Sequence, residues 1–144
     1  MGEPLEYALL KAPPDVESTI RWLIGQGASI TQQRGGEGES FGNVLMEFAI
    51  GDAVVAITRD RSQWTLDVQI EPHRRFDFDV IHTAMTGDER QWTHAAQRTL
   101  PTQLPDGVSW TEELPAALQW LSATPNAEGQ LIQLQRRRAE LLFG

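Results

Sequence analysis

The stretch VLMEFAIGDAVVAITRDRSQWTLDVQI, residues 44–70, decides the fold. It holds three apolar-rich runs separated by two short turn signals. In the last run Trp64, Leu66, Val68 and Ile70 alternate with Thr65, Asp67, Gln69 and Glu71, the two-residue period of a strand with one face buried and the other wet. Val44, Met46, Phe48 and Ile50 repeat that period in the first run. Residues 53–59 between them are nearly all apolar, which predicts a strand inside the sheet rather than at its edge. Gly51-Asp52 fits a two-residue hairpin with Gly at the first central position, and Asp60-Arg61-Ser62 turns the chain again. Strands joined in this way form an antiparallel meander.

Upstream, residues 28–34 predict one further short strand, separated from the meander by the Gly-rich polar loop of residues 34–40. Asp15, directly after Pro13-Pro14, is placed to cap a helix running to about Gln26, with an extended segment before it. Val16, Ile20, Leu23 and Ile24 share one face of that helix, and Gly25 and Gly27 stop it. Downstream, Pro72 ends the last strand, and residues 76–85 read as a short helix entry anchored by Phe76, Val80 and Ala84. A helical stretch is expected over residues 92–98. Another helix opens at 111–115, carries Ala117, Leu118, Trp120 and Leu121, and is closed by Pro125. A last helix starts at Asn126 with Leu131, Leu134, Leu141 and Leu142 along a stripe. The predicted fold is α+β: an antiparallel meander of three to four strands with helices packed on one face, an N-terminal helix and C-terminal helices. At 144 residues and 16.1 kDa the chain is the size of a single domain, residues 1–144, that can bury roughly 70% of its unfolded surface.

Charge narrows the partners. Twelve basic residues against 20 acidic ones give a net charge of −8, which repels a phosphate backbone or an anionic membrane at long range. Neither nucleic acid nor membrane is therefore an expected partner. Cysteine is absent, which removes disulfides, thiolate metal sites and Cys nucleophiles. No apolar run approaches a membrane span and no secretory signal pattern opens the chain, so a cytoplasmic location is expected. The acidity is uneven: residues 1–72 carry a net charge of −6 and residues 73–144 a net charge of −2. Asp77, Asp79, Asp88 and Glu89 form a run without an intervening base, and Arg136, Arg137 and Arg138 gather near the C-terminus. The preferred reading is a solvated acidic surface plus cations that complement a helix C-terminus, ahead of an intramolecular or dimeric attraction between the two groups.

Catalytic patterns fail on context. Gly38-Glu-Ser40-Phe-Gly42 spells G-x-S-x-G, but a strand follows where a nucleophile elbow needs a helix. The same glycines lack a Gly-Lys-Ser/Thr ending and carry two glutamates that would repel phosphate. His73, His82 and His94 match no zinc spacing. Asp77 and Asp79 could share a site for acid–base work, but acids at a helix entry are more simply explained as caps. No enzyme, cofactor or metal is expected. What remains are binding features. Arg59-Asp-Arg-Ser-Gln-Trp64 gathers two guanidinium groups, a carboxylate and an indole around one turn, although Trp64 is in phase with the core face. The loop bearing Glu37 and Glu39 is an acidic tip suited to a basic cleft.

The segment Phe41-Gly-Asn-Val-Leu-Met-Glu-Phe48, followed by Val54-Val-Ala-Ile-Thr-Arg-Asp-Arg-Ser-Gln-Trp-Thr-Leu-Asp-Val68, resembles small immunity proteins of bacterial polymorphic toxin systems. Many of these carry a strand, Arg-Asp-Arg-Gly/Ser-Gln-Trp, another strand, and a downstream Phe-Asp segment like Phe76-Asp-Phe-Asp79. The likeness covers roughly 40 of the 144 residues. It implies a non-enzymatic protein that binds a cognate toxin domain and occludes its active site. The candidate contacts are the acidic loop (Glu37, Glu39), the hairpin turn (Asp60, Arg61) and the acidic segment (Asp77, Asp79). The alternative is a small acidic secretion chaperone, which would act as a homodimer; oligomeric state separates the two.

Overall fold

The structure, a computed structural model, describes residues 3–36, 42–70, 74–93, 104–105 and 107–143. Two helices, α1 (Glu3–Lys11) and α2 (Pro14–Gly25), lead into β1 (Ser29–Gly35), β2 (Val44–Ile50), β3 (Ala53–Asp60), β4 (Gln63–Ile70) and β5 (Phe76–Asp77). The helices α3 (Phe78–Thr86), α4 (Arg90–Thr93), α5 (Trp110–Ala123) and α6 (Ala127–Phe143) follow. The strands form one antiparallel sheet in chain order, β1-β2-β3-β4-β5. The α+β class and the meander hold, with helices before and after the sheet, but the sheet has five strands rather than three or four.

The hairpins follow their residues. Ile50 pairs with Ala53 around Gly51, whose φ is 58°, the first central position of a two-residue loop that favours glycine. Asp60 pairs with Gln63, so Arg61 and Ser62 alone make the second turn. Both are left-handed, with φ 54° and 69°, as a type I′ hairpin requires.

Alternation divides the sheet into two faces. Val44, Met46, Phe48, Val55, Ile57, Trp64, Leu66, Val68 and Phe76 point to one side, where they meet Leu5, Ile20, Leu23, Val80, Ile81, Leu114 and Leu131 from the helices in one core. Trp64 is 8% exposed and belongs to that core. The opposite face carries Leu45, Glu47, Val54, Ala56, Thr58, Thr65, Asp67, Gln69 and Asp77, and none of these joins the helical core. Among the described residues no helix is long and apolar enough to cross a membrane.

Three local expectations need correction. The segment before Pro13 is not extended but helical: Leu5 and Ala8, three residues apart, are both fully buried on α1. Asp15 does not cap α2, which starts at Pro14 with Pro13 as its N-cap. Its carboxylate instead accepts hydrogen bonds at the start of α5, from Ser109 Oγ and the Trp110 amide at 2.7 Å and the Thr111 amide at 3.2 Å. Burial raises the Asp15 carboxyl, but these donors outweigh it and hold its pKa below the ordinary carboxylate range. Phe76 and Asp77 are a short strand on β4, and the helix begins only at Phe78. Of the helical stretch expected over 92–98, Trp92 and Thr93 fall in α4 and residues 94–98 lie outside the described ones. Asn126 precedes α6 as expected, in a left-handed conformation (φ 59°), and its carbonyl accepts from the Gln130 amide.

Candidate functional site

Antiparallel order places the β1–β2 connection and the β3–β4 hairpin at the same end of the sheet. There the hairpin is pinned from below. The Arg61 amide donates to Asn43 Oδ1 at 3.0 Å, and the Asn43 carbonyl accepts from the Gly36 amide at 2.9 Å, so one residue ties the two connections together. Arg59 turns away from its neighbour Asp60. Its Nη1 donates to the Gly42 carbonyl at 2.6 Å, and the guanidinium stands over the Tyr7 ring at 6.0 Å from the centroid. Asp60 and Arg61 themselves are exposed. Beside them Arg34, Gly35, Asn43, Leu45, Thr58 and Asp60 line an open groove, with Leu45 and Thr58 on the face turned away from the helical core. A charged tip held by main-chain hydrogen bonds is pre-organised to meet another surface.

A second assembly lies at the β5 edge. Gln32, Glu47, Ala56, Asp67 and Asp77 stand in one row across all five strands. Arg75 crosses this row to reach Glu47 at 3.0 Å, and Ala56, lying between the acids, is accordingly only 1% exposed. Asp67 and Asp77 are direct cross-strand partners, a like-charge arrangement that is unfavourable when both are ionised. Burial above all, then the hydrogen bond and charge of Asp77, push the Asp67 carboxyl up to about 8 against the pull of Arg75. Asp67 therefore keeps its proton at neutral pH and shares it with Asp77.

Behind that pair, Asp79 is fully buried. Its carboxylate accepts from Trp92 Nε1 at 2.7 Å and from Arg138 Nη1 at 2.9 Å. Burial pushes its pKa up to about 6, with Arg138 and the Trp92 indole pulling the other way. Arg138 also reaches Asp77 at 3.0 Å, so one guanidinium joins two acids. Burial works to lower the Arg138 pKa, but the two carboxylates outweigh it and the pKa rises. Arg137 pairs with Glu89. The acidic run and the arginine run thus meet within the molecule, contrary to the preferred reading of a solvated acidic surface. Asp77 occupies the N-cap position of α3 without making a side-chain cap bond, so the capping role expected of the acid pair is replaced by ion pairing.

The structure therefore separates the residues singled out from sequence. Asp60 and Arg61 are together at the hairpin end. Asp77 is half-exposed at the opposite edge of the sheet, and Asp79 faces Arg138 and Trp92 instead of solvent. Glu37 and Glu39 lie outside the described residues, as do His73 and His94. His82 is buried with Nε2 3.0 Å from Glu113 Oε1. Among the described residues no group of three or more His, Asp or Glu side chains is arranged to hold a metal ion. Sequence reasoning missed Asn43, Arg59, Asp67, Arg75 and Arg138 as organising residues. Asn43 and Arg59 had a local signal in flanking the two turns, and Arg138 had one in its run of three arginines, whose attraction to the acidic run was the less favoured alternative. Comparison with protein-family models, curated proteins and solved structures gives no match.

Proposed function

We propose that this protein is an immunity protein that binds a cognate toxin domain and occludes its active site, with the Asp60-Arg61 hairpin at the centre of the contact. The observation that carries this reading is the hairpin tip itself. Two exposed, oppositely charged side chains stand side by side, Asp60 at the end of β3 and Arg61 in the two-residue turn, whose root is fastened by Asn43 and Arg59. Fixing the main chain of the tip in advance lowers the ordering cost of binding. Among the described residues the adjoining sheet face takes no part in the helical core, and the connection that carries Glu37 and Glu39 leaves the sheet at the same end. The net charge of −8 would steer the protein toward a basic cleft.

The test is co-expression with the product of the gene immediately upstream. Growth rescue by the wild-type chain, lost when Asp60 and Arg61 are reversed in charge, supports the proposal. An upstream product without toxicity that forms no complex with the chain refutes it.

A further inference from the structure

Helix α6 is fastened by two different kinds of force along its length. Its first half is set in the core: Ala127 and Leu131 are buried, and Ile132 and Leu134 pack against the same cluster. Beyond Leu134 no apolar side chain of α6 joins the core among the described residues, and Leu141 and Phe143 are exposed. The second half is held by polar bonds instead. Gln135 Oε1 accepts from Arg74 at 2.9 Å, Arg137 grips Glu89, and Arg138 spans Asp77 and Asp79. Helix–helix packing that rests on apolar burial is insensitive to ionic conditions, whereas charge pairs at a helix surface weaken with salt and with loss of either charge.

We propose that residues 135–143 form an ionic strap across the β5–α3 edge, able to detach while the first half of α6 stays docked. Detachment removes the cation that covers both Asp77 and Asp79, so the strap controls whether these two carboxylates face a neighbour or solvent. High salt is the release signal, acting on all the pairs together, and on the exposed Arg137–Glu89 pair first. Acid is not one: burial holds the Asp79 carboxyl up at about 6 in the strapped state, so exposing it to solvent would lower its pKa, and its protonation favours the strapped state. This inference is independent of the toxin-binding proposal, which concerns the β3–β4 turn.

Hydrogen exchange of the intact chain, followed residue by residue and corrected for intrinsic rates, tests it. In Arg138→Gln at neutral pH, protection of amides 137–143 is expected to fall by about tenfold or more, equivalent to about 1.4 kcal/mol, with amides 131–134 unchanged within about twofold. The wild type in about 1 M salt should show the same split pattern, whether or not Arg138→Gln folds. Equal loss of protection along the whole helix would overturn the strap, because α6 would then be one cooperative unit. Unchanged protection of amides 137–143 in the variant, or in the wild type at high salt, would overturn it equally.

Discussion

Replacing Asp67 by Asn is expected to stabilise the protein by an amount that grows with pH. Asp67 faces Asp77 directly across β4 and β5, and its carboxyl is pushed up to about 8, from an ordinary value near 4 in the unfolded chain. Between those limits the folded protein holds a proton that the unfolded chain releases. The stabilisation linked to this group is therefore complete below about pH 4 and is lost as the pH rises through about 8. Each pH unit in between is worth about 1.4 kcal/mol, so stability falls on the order of 4 kcal/mol from about pH 5 to about pH 8 through this residue alone. Asparagine stays neutral throughout, and its amide can donate to Asp77 as the protonated acid does. Asp67→Asn should therefore match the wild type within about 1 kcal/mol at about pH 5 and exceed it by several kcal/mol at about pH 8. Urea unfolding at the two pH values, with equal m-values, measures the difference. A stability gap that does not change with pH, or a variant weaker than wild type at pH 8, would refute the shared-proton account.

Asp15→Ala should cost about 2 kcal/mol at neutral pH, because it strips acceptors from the Trp110 and Thr111 amides and removes the carboxylate that links α2 to the start of α5. Since the Asp15 pKa is lowered by folding, its contribution exists above about pH 4 and disappears as the pH falls below that, so the two proteins should converge in acid urea melts. Gly35→Ala should lower stability by on the order of 2 kcal/mol or more, since Gly35 has φ 95° and an added Cβ would collide with the Asn43 carbonyl; thermal unfolding reads this directly. Reversing charge at Asp60 and Arg61 together should leave stability within about 0.5 kcal/mol, because both side chains are exposed, while abolishing protection in a growth assay.

The sheet was legible where the period was long enough to repeat. Four alternating residues in Trp64, Leu66, Val68 and Ile70 specify a face, and the glycine at 51 marks its turn. A two-residue strand such as β5 has no period, so neither its existence nor the opposition of Asp67 and Asp77 could be read before the register was known. Asp15 shows a different limit. An acid that prefers to accept main-chain donors was recognised as a cap, but the donors it takes are 94–96 residues away in α5. The charge runs were visible as well, and a solvated surface was the default expectation for them. Their pairing depends on α6 passing over α3 and α4, a long-range contact that composition does not encode. At the hairpin, sequence alone singled out Asp60 and Arg61, while the residues that hold the turn in place, Asn43 and Arg59, emerged only from the geometry.

The most direct test of the central claim is titration calorimetry of the purified chain against the purified product of the upstream gene, in parallel with the variant reversed at Asp60 and Arg61. The account predicts a tight one-to-one complex whose affinity falls by at least about a hundredfold, or about 3 kcal/mol, in the folded variant. No heat and no complex with the wild-type chain, or equal affinity for wild type and variant, would contradict it.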